Sequence, residues 1–337
     1  MTRVAVVILN YNGEDFLRRF LPSVLANVNA PDVVWVADNA STDSSVTYLL
    51  SLGNAVQLHK NVQNFGFAGG YNEAIAAIEA EYILLLNSDV EVSAGFLPPL
   101  LAALEKDSKV VAVQPKVLAH HNKSLFEYAG AAGGYLDKLG YPYCKGRIFD
   151  VVEPDQGQYN TPSQVFWTSG AAMLIRRQAY LEVGGLDAHF FAHMEEIDLC
   201  WRLQRAGYTL GYVPGSTVYH VGGGTLQTGS PKKTFLNFRN SLAMLVKNHP
   251  SNAWPLVIFT RMLLDGLAGI KFLTEGKPNL TWAIIRAHGA FYAWLPRLIE
   301  ERKALKKFNA QPHTTVWRPS SILQAFYLQG KKKYSEL

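Results

Sequence analysis

The chain has 337 residues, 48% of them hydrophobic and 18% charged, which suffices for one large or two moderate domains with a real core and excludes a disordered, collagenous or peptide-sized product. Its two cysteines, Cys144 and Cys200, are too few for a disulfide framework and lack the paired spacing of a zinc ribbon, so a reducing, cytoplasmic compartment is expected. The net charge of +5 is unevenly placed: residues 1–230 carry 15 Lys and Arg against 22 Asp and Glu, a body of net −7, and residues 231–337 carry 17 against 5, a tail of net +12.

Residues 4–9 are a continuous aliphatic, β-branched run, the pattern of a strand buried on both faces, and they end at the turn signal Asn10-Tyr-Asn-Gly13. Only Met1, Thr2 and Arg3 stand ahead of this run, so the charged, apolar and cleavage regions of a signal peptide are missing and the catalytic part is expected to stay inside the cell. Between 14 and 27, Phe16, Leu17, Phe20, Leu21, Val24 and Leu25 recur at helical spacing, and a second apolar strand follows at 33–37. This βαβ pattern continues with a strand at 56–59, a helix at 70–80, a strand at 82–86, a helix at 95–104 and a strand at 110–114. Such alternation predicts an α/β fold with a parallel or mixed sheet and helices on both faces. From 116 to 163 the periodicity weakens, which predicts long loops with short antiparallel strands, and loops this long in a compact domain are usually functional. Order returns with a strand at 165–175, a helix at 195–206 and a strand at 210–213, and long helices rich in Trp, Leu, Arg and Lys follow Pro231.

In open α/β sheets ligands sit outside the carboxyl ends of the strands, so the polar residues just past each strand are the first candidates. After the second strand comes Asp38-Asn-Ala-Ser-Thr-Asp43. A carboxylate there can accept the imide N–H of uracil or thymine or a ribose hydroxyl, while a capped loop without a ligand explains the same residues. Gln63 to Asn72 places three glycines before a helix, where open backbone can approach a phosphate or nucleoside; a plain tight turn is the alternative, and neither the G-x-G-x-x-G spacing nor a P-loop lysine is present. Asn87, Asp89 and Glu91 follow the most hydrophobic strand of the chain, and oxygen ligands at such a strand end suit Mg2+ or Mn2+ bound together with substrate phosphates. Glu195, Glu196 and Asp198 crowd the start of a helix; one acid would serve the helix dipole, whereas three offer a positioned general base. His189 and His193 stand four apart without the H-E-x-x-H order of a zinc site. His220 precedes Gly222, Gly223, Gly224 and Thr225, a setting for a phosphate or metal contact.

Together these residues resemble the nucleotide-sugar-dependent glycosyltransferases of family two, in particular the rhamnosyltransferase-type branch that builds surface polysaccharides. The likeness covers roughly residues 3–225 and rests on Asn10-Tyr-Asn12, the 38–43 segment, Asn64-x-Gly66 with Asn72, Asn87-Ser-Asp89, the 169–176 run, the 195–198 cluster and His220, all in the family's order. The resemblance implies a GT-A (nucleotide-diphospho-sugar transferase) fold with a mostly parallel central sheet flanked by helices, plus a C-terminal helical extension. It implies that Asn10, Asp38, Asn64, Gly66, Asn72 and Asn87 bind a UDP- or dTDP-linked sugar, that Asp89 with His220 holds a divalent cation, Mg2+ or Mn2+, and that Glu196 is the base, with Glu195 and Asp198 in reserve. Two positions depart from the family pattern: Asn87 replaces the first Asp of D-x-D, and Glu196 replaces the Asp of a Glu-Asp pair. The implied reaction is inverting transfer of the sugar to a hydroxyl of a glycan or a lipid-linked acceptor. A non-catalytic nucleotide-binding scaffold or a Rossmann-type oxidoreductase are the alternatives, and the second lacks its glycine fingerprint after the first strand.

The division predicted is a catalytic domain at 1–230 and a basic, aromatic-rich helical extension at 231–337. The segment 253–273 has nearly the length of a membrane span, but Arg261, Asp265 and Lys271 interrupt it and argue against spanning; Arg261 and Asp265 lie one turn apart and are expected to pair on one face. Trp282, Phe291, Tyr292 and Trp294 with Arg302, Lys303, Lys306 and Lys307 suit a lipid headgroup interface better than nucleic acid, so peripheral contact with an anionic membrane surface is expected, with packing on the body or a second subunit as the alternative.

Overall fold

The computed structural model describes residues 2–222, 229–308, 310 and 316–337. The first half alternates strands and helices: β1 (Val4–Asn10), α1 (Glu14–Leu25), β2 (Val33–Asp38), α2 (Ser45–Ser51), β3 (Gln57–Lys60), α3 (Gly66–Ala77), β4 (Tyr82–Asn87), β5 (Val90–Val92), α4 (Leu97–Lys106) and β6 (Val110–Ala119). Short strands follow as β7 (Asn122–Phe126), β8 (Gly134–Asp137), β9 (Pro142–Cys144), β10 (Arg147–Ile148), β11 (Val151–Val152) and β12 (Ser163–Val165). Then come β13 (Ala172–Arg176), α5 (Arg177–Glu182), α6 (Glu195–Arg205), β14 (Thr209–His220), α7 (Pro231–Asn248), α8 (Trp254–Thr274), α9 (Pro278–Ala304) and β15 (Trp317–Arg318).

The main sheet has the order β12-β14-β6-β13-β4-β1-β2-β3, with β5 beside β14 and β7 beside β6. β1 lies between β4 and β2 and is buried on both faces, Ala5 and Val7 toward one core and Val4, Val6 and Ile8 toward the other. Ile83 and Leu85 of β4 separate from Leu84 and Leu86 in the same way, which is why these strands read as unbroken apolar runs. Helices α1 and α4 cover one face through Leu17, Leu21, Leu100 and Leu104, and α3, α6 and α7 cover the other through Tyr71, Ile75, Trp201 and the fully buried run 242–246.

Two sequence expectations are refined. The sheet is mixed, because β13 runs antiparallel to both β4 and β6, whereas β1 is parallel to β2 and β4, and β14 is parallel to β6. The single strand expected at 165–175 is two, since the intervening Ser169 turns inward, its N–H donating to Gln114 Oε1 at 2.9 Å and its hydroxyl to the Ala129 carbonyl. The region 116–163 does contain short antiparallel strands. β11-β10-β9-β8 form a second sheet, and β15 returns from the end of the chain to pair in parallel with β8.

Helix α7 is joined to the body by buried charge. Lys247 Nζ lies 2.6 Å from Asp187 and 3.1 Å from Asp198, and Asp198 also accepts from Arg202 at 2.8 Å and from Asn248 at 2.7 Å. In α8, Arg261 and Asp265 share one face as expected, and that face is turned inward, but they do not pair with each other. Arg261 donates to the Leu139 carbonyl and Ser241 and stacks on Tyr141, while Asp265 meets His288 at 3.1 Å, because α7 and α9 offer each a nearer partner. Among the described residues no helix is long and apolar enough to cross a membrane.

Removing one partner from a buried ion cluster leaves the others uncompensated, so Lys247→Met should lower unfolding stability by about 3 kcal/mol. Urea denaturation measures this, and a loss below about 1 kcal/mol would show that Asp187 and Asp198 do not depend on the lysine.

Candidate active site

The parallel register sets the ends of the central strands level: Asn10 stands opposite Asp38, Asp38 opposite Lys60, and Leu9 opposite Asn87. The polar residues just past the apolar runs therefore meet along one edge. Asn10 Nδ2 donates to Asp38 Oδ1 at 3.0 Å and to Ser41 Oγ at 3.1 Å, and the other Asp38 oxygen accepts from the Ser41 N–H at 3.0 Å. The side-chain oxygen of Asn10, Oδ1, is buried with no hydrogen-bond partner among the described residues, an acceptor held ready at the sheet edge.

Asn39 is the hub of the next layer, and sequence reasoning did not single it out. Its amide donates to Asn64 Oδ1 and to the Gly66 carbonyl, both at 2.9 Å, and its oxygen accepts from Asn61 at 3.0 Å and from the Phe65 N–H at 3.2 Å. Asn64 Oδ1 also accepts the Gly66 N–H at 2.8 Å. Gly66 has φ +74°, and a Cβ there would lie 2.6 Å from the Phe191 ring, so this turn excludes any side chain. Asn10, Asp38, Asn64 and Gly66 thus form one polar cradle. Asn72 does not join it: its amide donates to the Leu186 carbonyl at 2.7 Å and its oxygen accepts from Tyr180 and the Leu186 N–H, so it clamps the turn after α5 and its polar atoms are spent there.

Beyond β4, Asp89 Oδ1 lies 3.1 Å from His220 Nε2, with Asn87 Nδ2 at 3.4 Å from the same nitrogen. The other ring nitrogen, Nδ1, lies 3.2 Å from Glu127, a second residue the sequence did not single out. Burial pushes the His220 ring toward neutrality, but Glu127 and Asp89 override it and lift the pKa to about 10. Burial likewise pushes Asp89 up, and its hydrogen bond to His220 overrides that and holds it below the usual carboxylate value. Does a divalent cation suit this donor set? A buried carboxylate oxygen and an imidazole nitrogen already face each other, and the Glu127 carboxylate stands by the far nitrogen, as carboxylates commonly do behind metal-bound histidines. The residues fit such an ion, which would take the place of the proton on Nε2. Gly223, Gly224 and Thr225 lie outside the described residues. Asp187, His189 and Glu301 also converge closely enough to surround an ion, but Lys247 and Arg297 occupy their carboxylates.

The third group opens α6. Phe191, His193 and Met194 have φ of +65°, +70° and +72°, three non-glycine residues held in the left-handed region. The buried Asn240 of α7 holds them: its single NH2 group lies 3.0 Å from the carbonyls of Phe190 and Ala192 and 2.8 Å from that of His193. This loop presents Glu195 and Glu196, each with one buried carboxylate oxygen that has no hydrogen-bond partner among the described residues. Burial lifts Glu196 to about 7 against the opposing backbone N–H groups, and burial with the neighbouring Glu196 raises Glu195 well above the ordinary range. Glu196 lies over Gly170 and beside Phe67, whose N–H donates to the Phe191 carbonyl at 2.8 Å, so it borders the Gly66 turn. Asp198 is set apart from these two. It is fully buried and its oxygens are taken by Arg202, Lys247 and Asn248, which leaves none to receive a proton from a ligand.

The sequence model of the family described as Glycosyl transferase family 2 matches residues 5–184. An N-acetylglucosaminyl-diphospho-decaprenol L-rhamnosyltransferase of Mycobacterium tuberculosis is 28% identical over 231 residues, covering 64% of this chain and 75% of its own. Rhamnosyltransferase WbbL of Escherichia coli K12 is 28% identical over 228 residues, covering 64% of this chain and 83% of its own. The crystal structure of GalNAc-T7 with UDP, GalNAc and Mn2+ superposes with a TM-score of 0.57 at 18% identity over 73% of this chain and 48% of that one, so the chain spans about half of that protein. The fold expected from the sequence, GT-A with C-terminal helices, is the fold observed.

The folded chain keeps the Glu196 proton up to a pH of about 7, whereas an unfolded glutamate releases it near 4.5, so Glu196 costs stability as the pH rises through that interval. Glu196→Gln should therefore unfold with the parent at pH 4 and be more stable than the parent at pH 8, by something on the order of 1–3 kcal/mol. Thermal or urea unfolding at the two pH values measures it. Equal stability at pH 8 would mean that the carboxylate is solvated in the folded chain.

Proposed function

The chain belongs to glycosyl transferase family 2 and is a glycosyltransferase, and from that premise we propose that it transfers a sugar from a UDP- or dTDP-linked donor, with inversion, to a hydroxyl of a glycan or lipid-linked acceptor in surface polysaccharide synthesis. The observation that carries this reading is Glu196, a carboxyl with a buried, unpartnered oxygen and a pKa of about 7, beside the turn that closes the polar cradle. A proton acceptor is most effective when its pKa lies near the working pH.

In this reading Asp38 receives the base or ribose of the donor, with Asn10, Asn39 and Asn64 fixing the carboxylate and the loop around it. Asp89 and His220 would hold a Mg2+ or Mn2+ ion, and the Mn2+ in the GalNAc-T7 structure supports a divalent cation. When bound, that ion neutralises the charge that develops on the departing nucleoside diphosphate. Glu127 keeps His220 turned toward Asp89. Glu196, aimed by the loop that Asn240 clamps, removes the proton from the acceptor hydroxyl as its oxygen attacks the anomeric carbon from the face opposite the leaving group. One displacement inverts that centre. The names of the two rhamnosyltransferases support a rhamnosyl donor, and the diphospho-decaprenol in the name of the mycobacterial one supports a lipid-linked acceptor.

A lipid-linked acceptor requires the enzyme to work at a membrane, and α8 offers a surface for it. Leu256, Phe259, Leu263, Leu267, Ile270 and Leu273 recur along its outer face and are all more than half exposed, and Trp282, Ile285 and Tyr292 continue the apolar surface on α9. The charged Arg261 and Asp265 are turned inward, which leaves this face free to lie in the headgroup region of the inner leaflet.

Asp89→Ala should abolish transfer and remove the Mn2+ dependence of UDP or dTDP binding in calorimetry; retained activity would take Asp89 out of the site. Glu196→Gln should keep donor affinity and lower turnover by roughly 10²- to 10⁴-fold, and the parent should gain activity as the pH rises through about 7. Turnover left intact by this change would move the base elsewhere. The double variant Leu263→Glu, Leu267→Glu should lose flotation with anionic vesicles at low salt while keeping the parent's thermal midpoint. Unchanged flotation would disconnect α8 from the membrane.

A further inference from the structure

Outside the polar cradle, a groove of about 600 Å3 opens where the first turns of α7 and α9 meet the Phe191 loop. Its walls are largely apolar, with Phe191, Phe235 and Trp282 among them, yet Lys232, Arg239 and Arg286 also line it. None of these three cations has a carboxylate within 4.0 Å among the described residues, which include every Asp and Glu of the chain. They rest on rings instead. Lys232 Nζ lies 5.1 Å from the Phe191 ring, Arg239 3.9 Å from the Trp294 ring, and Arg286 5.6 Å from the Phe235 ring. Burial together with the neighbouring Arg297 makes the charge on Arg239 harder to hold, lowering its pKa to about 10. Arg239 also donates to two neutral acceptors, Asn240 Oδ1 at 2.9 Å and the Phe190 carbonyl at 3.4 Å. Positive charge gathered in this way with no carboxylate in contact favours a ligand carrying more than one negative charge, and guanidinium groups match phosphate oxygens.

The groove has a second property that selects among anions. Trp282 belongs both to its wall and to the exposed apolar surface that α8 and α9 share. A chain leaving the groove past Trp282 would run onto that surface. At the opposite side Phe191 precedes Glu196 by five residues in the loop held by Asn240, so the groove lies between the apolar face and the proposed base. A free inorganic anion would satisfy the cations and leave the apolar walls wet, whereas a phosphate with a hydrocarbon chain satisfies both.

We propose that this groove is the acceptor-side site and binds the phosphate or diphosphate of a membrane lipid through Lys232, Arg239 and Arg286, with the lipid chain lying along Trp282 toward the face of α8 and α9. This rests on the glycosyl-transfer reading for the ligand's role as acceptor, and nothing in that reading locates the acceptor. Lys232 and Arg286 are exposed and carry no structural hydrogen bond among the described residues, so both can be removed without disturbing the fold.

The test uses farnesyl diphosphate, inorganic pyrophosphate and farnesol as probes of the full chain, followed by calorimetry and tryptophan fluorescence. Asp89→Ala serves as the background without divalent ion, so that the nucleotide site does not compete. Farnesyl diphosphate should bind about tenfold or more tighter than either fragment, and Lys232→Ala with Arg286→Ala should remove about tenfold of that affinity while leaving UDP and dTDP binding to the metal-competent chain unchanged. Equal binding by the parent and the double variant, no binding by the parent, or pyrophosphate binding as tightly as farnesyl diphosphate would each overturn the proposal. Failure here with Glu196→Gln still inactive would leave the transferase reading standing. Binding of farnesyl diphosphate through the groove in a chain that binds no nucleotide diphosphate would instead leave the groove and remove the donor.

Discussion

The buried carboxylate of Asp198 is the constraint on which the arrangement of the proposed catalytic centre depends. An ionised acid with no exposed surface is tolerable only with cations and donors around it, and two of its three partners, Lys247 and Asn248, come from α7. The body of the protein therefore cannot satisfy its own interior charge. Once α7 is docked for this reason, Asn240 lies two turns earlier on the same helix and reaches the carbonyls of the strained 190–193 loop. The ion cluster and the loop clamp are consequences of one docking event, and the direction in which α6 presents Glu195 and Glu196 follows from it.

Around that frame the acids are driven to opposite fates by their surroundings. Asp89 and Glu127 enclose an imidazole and share its positive charge, so Asp89 stays ionised although it is buried. Glu195 and Glu196 are buried beside each other with no cation, and both take up protons more readily than a free glutamate. A pair of environments of this kind lets one site stabilise a negative leaving group and another exchange a proton near neutral pH. The distinction is electrostatic and comes from what stands within a few ångströms of each carboxylate.

Much of this was legible in the sequence because burial on both faces writes itself as an apolar run. β1, β2 and β4 were read nearly residue for residue, and the polar residues just past them are the ones that meet at the sheet edge. The direction of β13 left no such trace, since a parallel and an antiparallel strand buried on both faces have the same composition. Asn39, Glu127 and Asn240 escaped notice because an isolated Asn or Glu carries no periodic signal, and their partners are set by tertiary contact. Asn72 and Asp198 stand within suggestive motifs, yet tertiary partners have already taken up their hydrogen-bonding capacity. For Arg261 and Asp265 the common face was predictable from helical spacing, while their separate partners depended on how α7, α8 and α9 pack.

The return of β15 to β8 has a consequence for how the chain is made. Residues 317 and 318 pair with residues 136 and 137, and Trp317 packs against both Phe166 and Trp201 of the main core. Asp137 Oδ2 then accepts the Ile322 N–H at 2.8 Å. On a ribosome the small sheet emerges long before the strand that completes its edge, and the indole that covers Trp201 is absent for the same interval. The nascent chain must carry an open sheet edge and an uncovered aromatic patch until residues 317 and 318 have been added. Contacts of such long sequence separation slow folding and lengthen the exposure to aggregation, so the small sheet and the core aromatics share one period of risk that closes only when β15 pairs with β8.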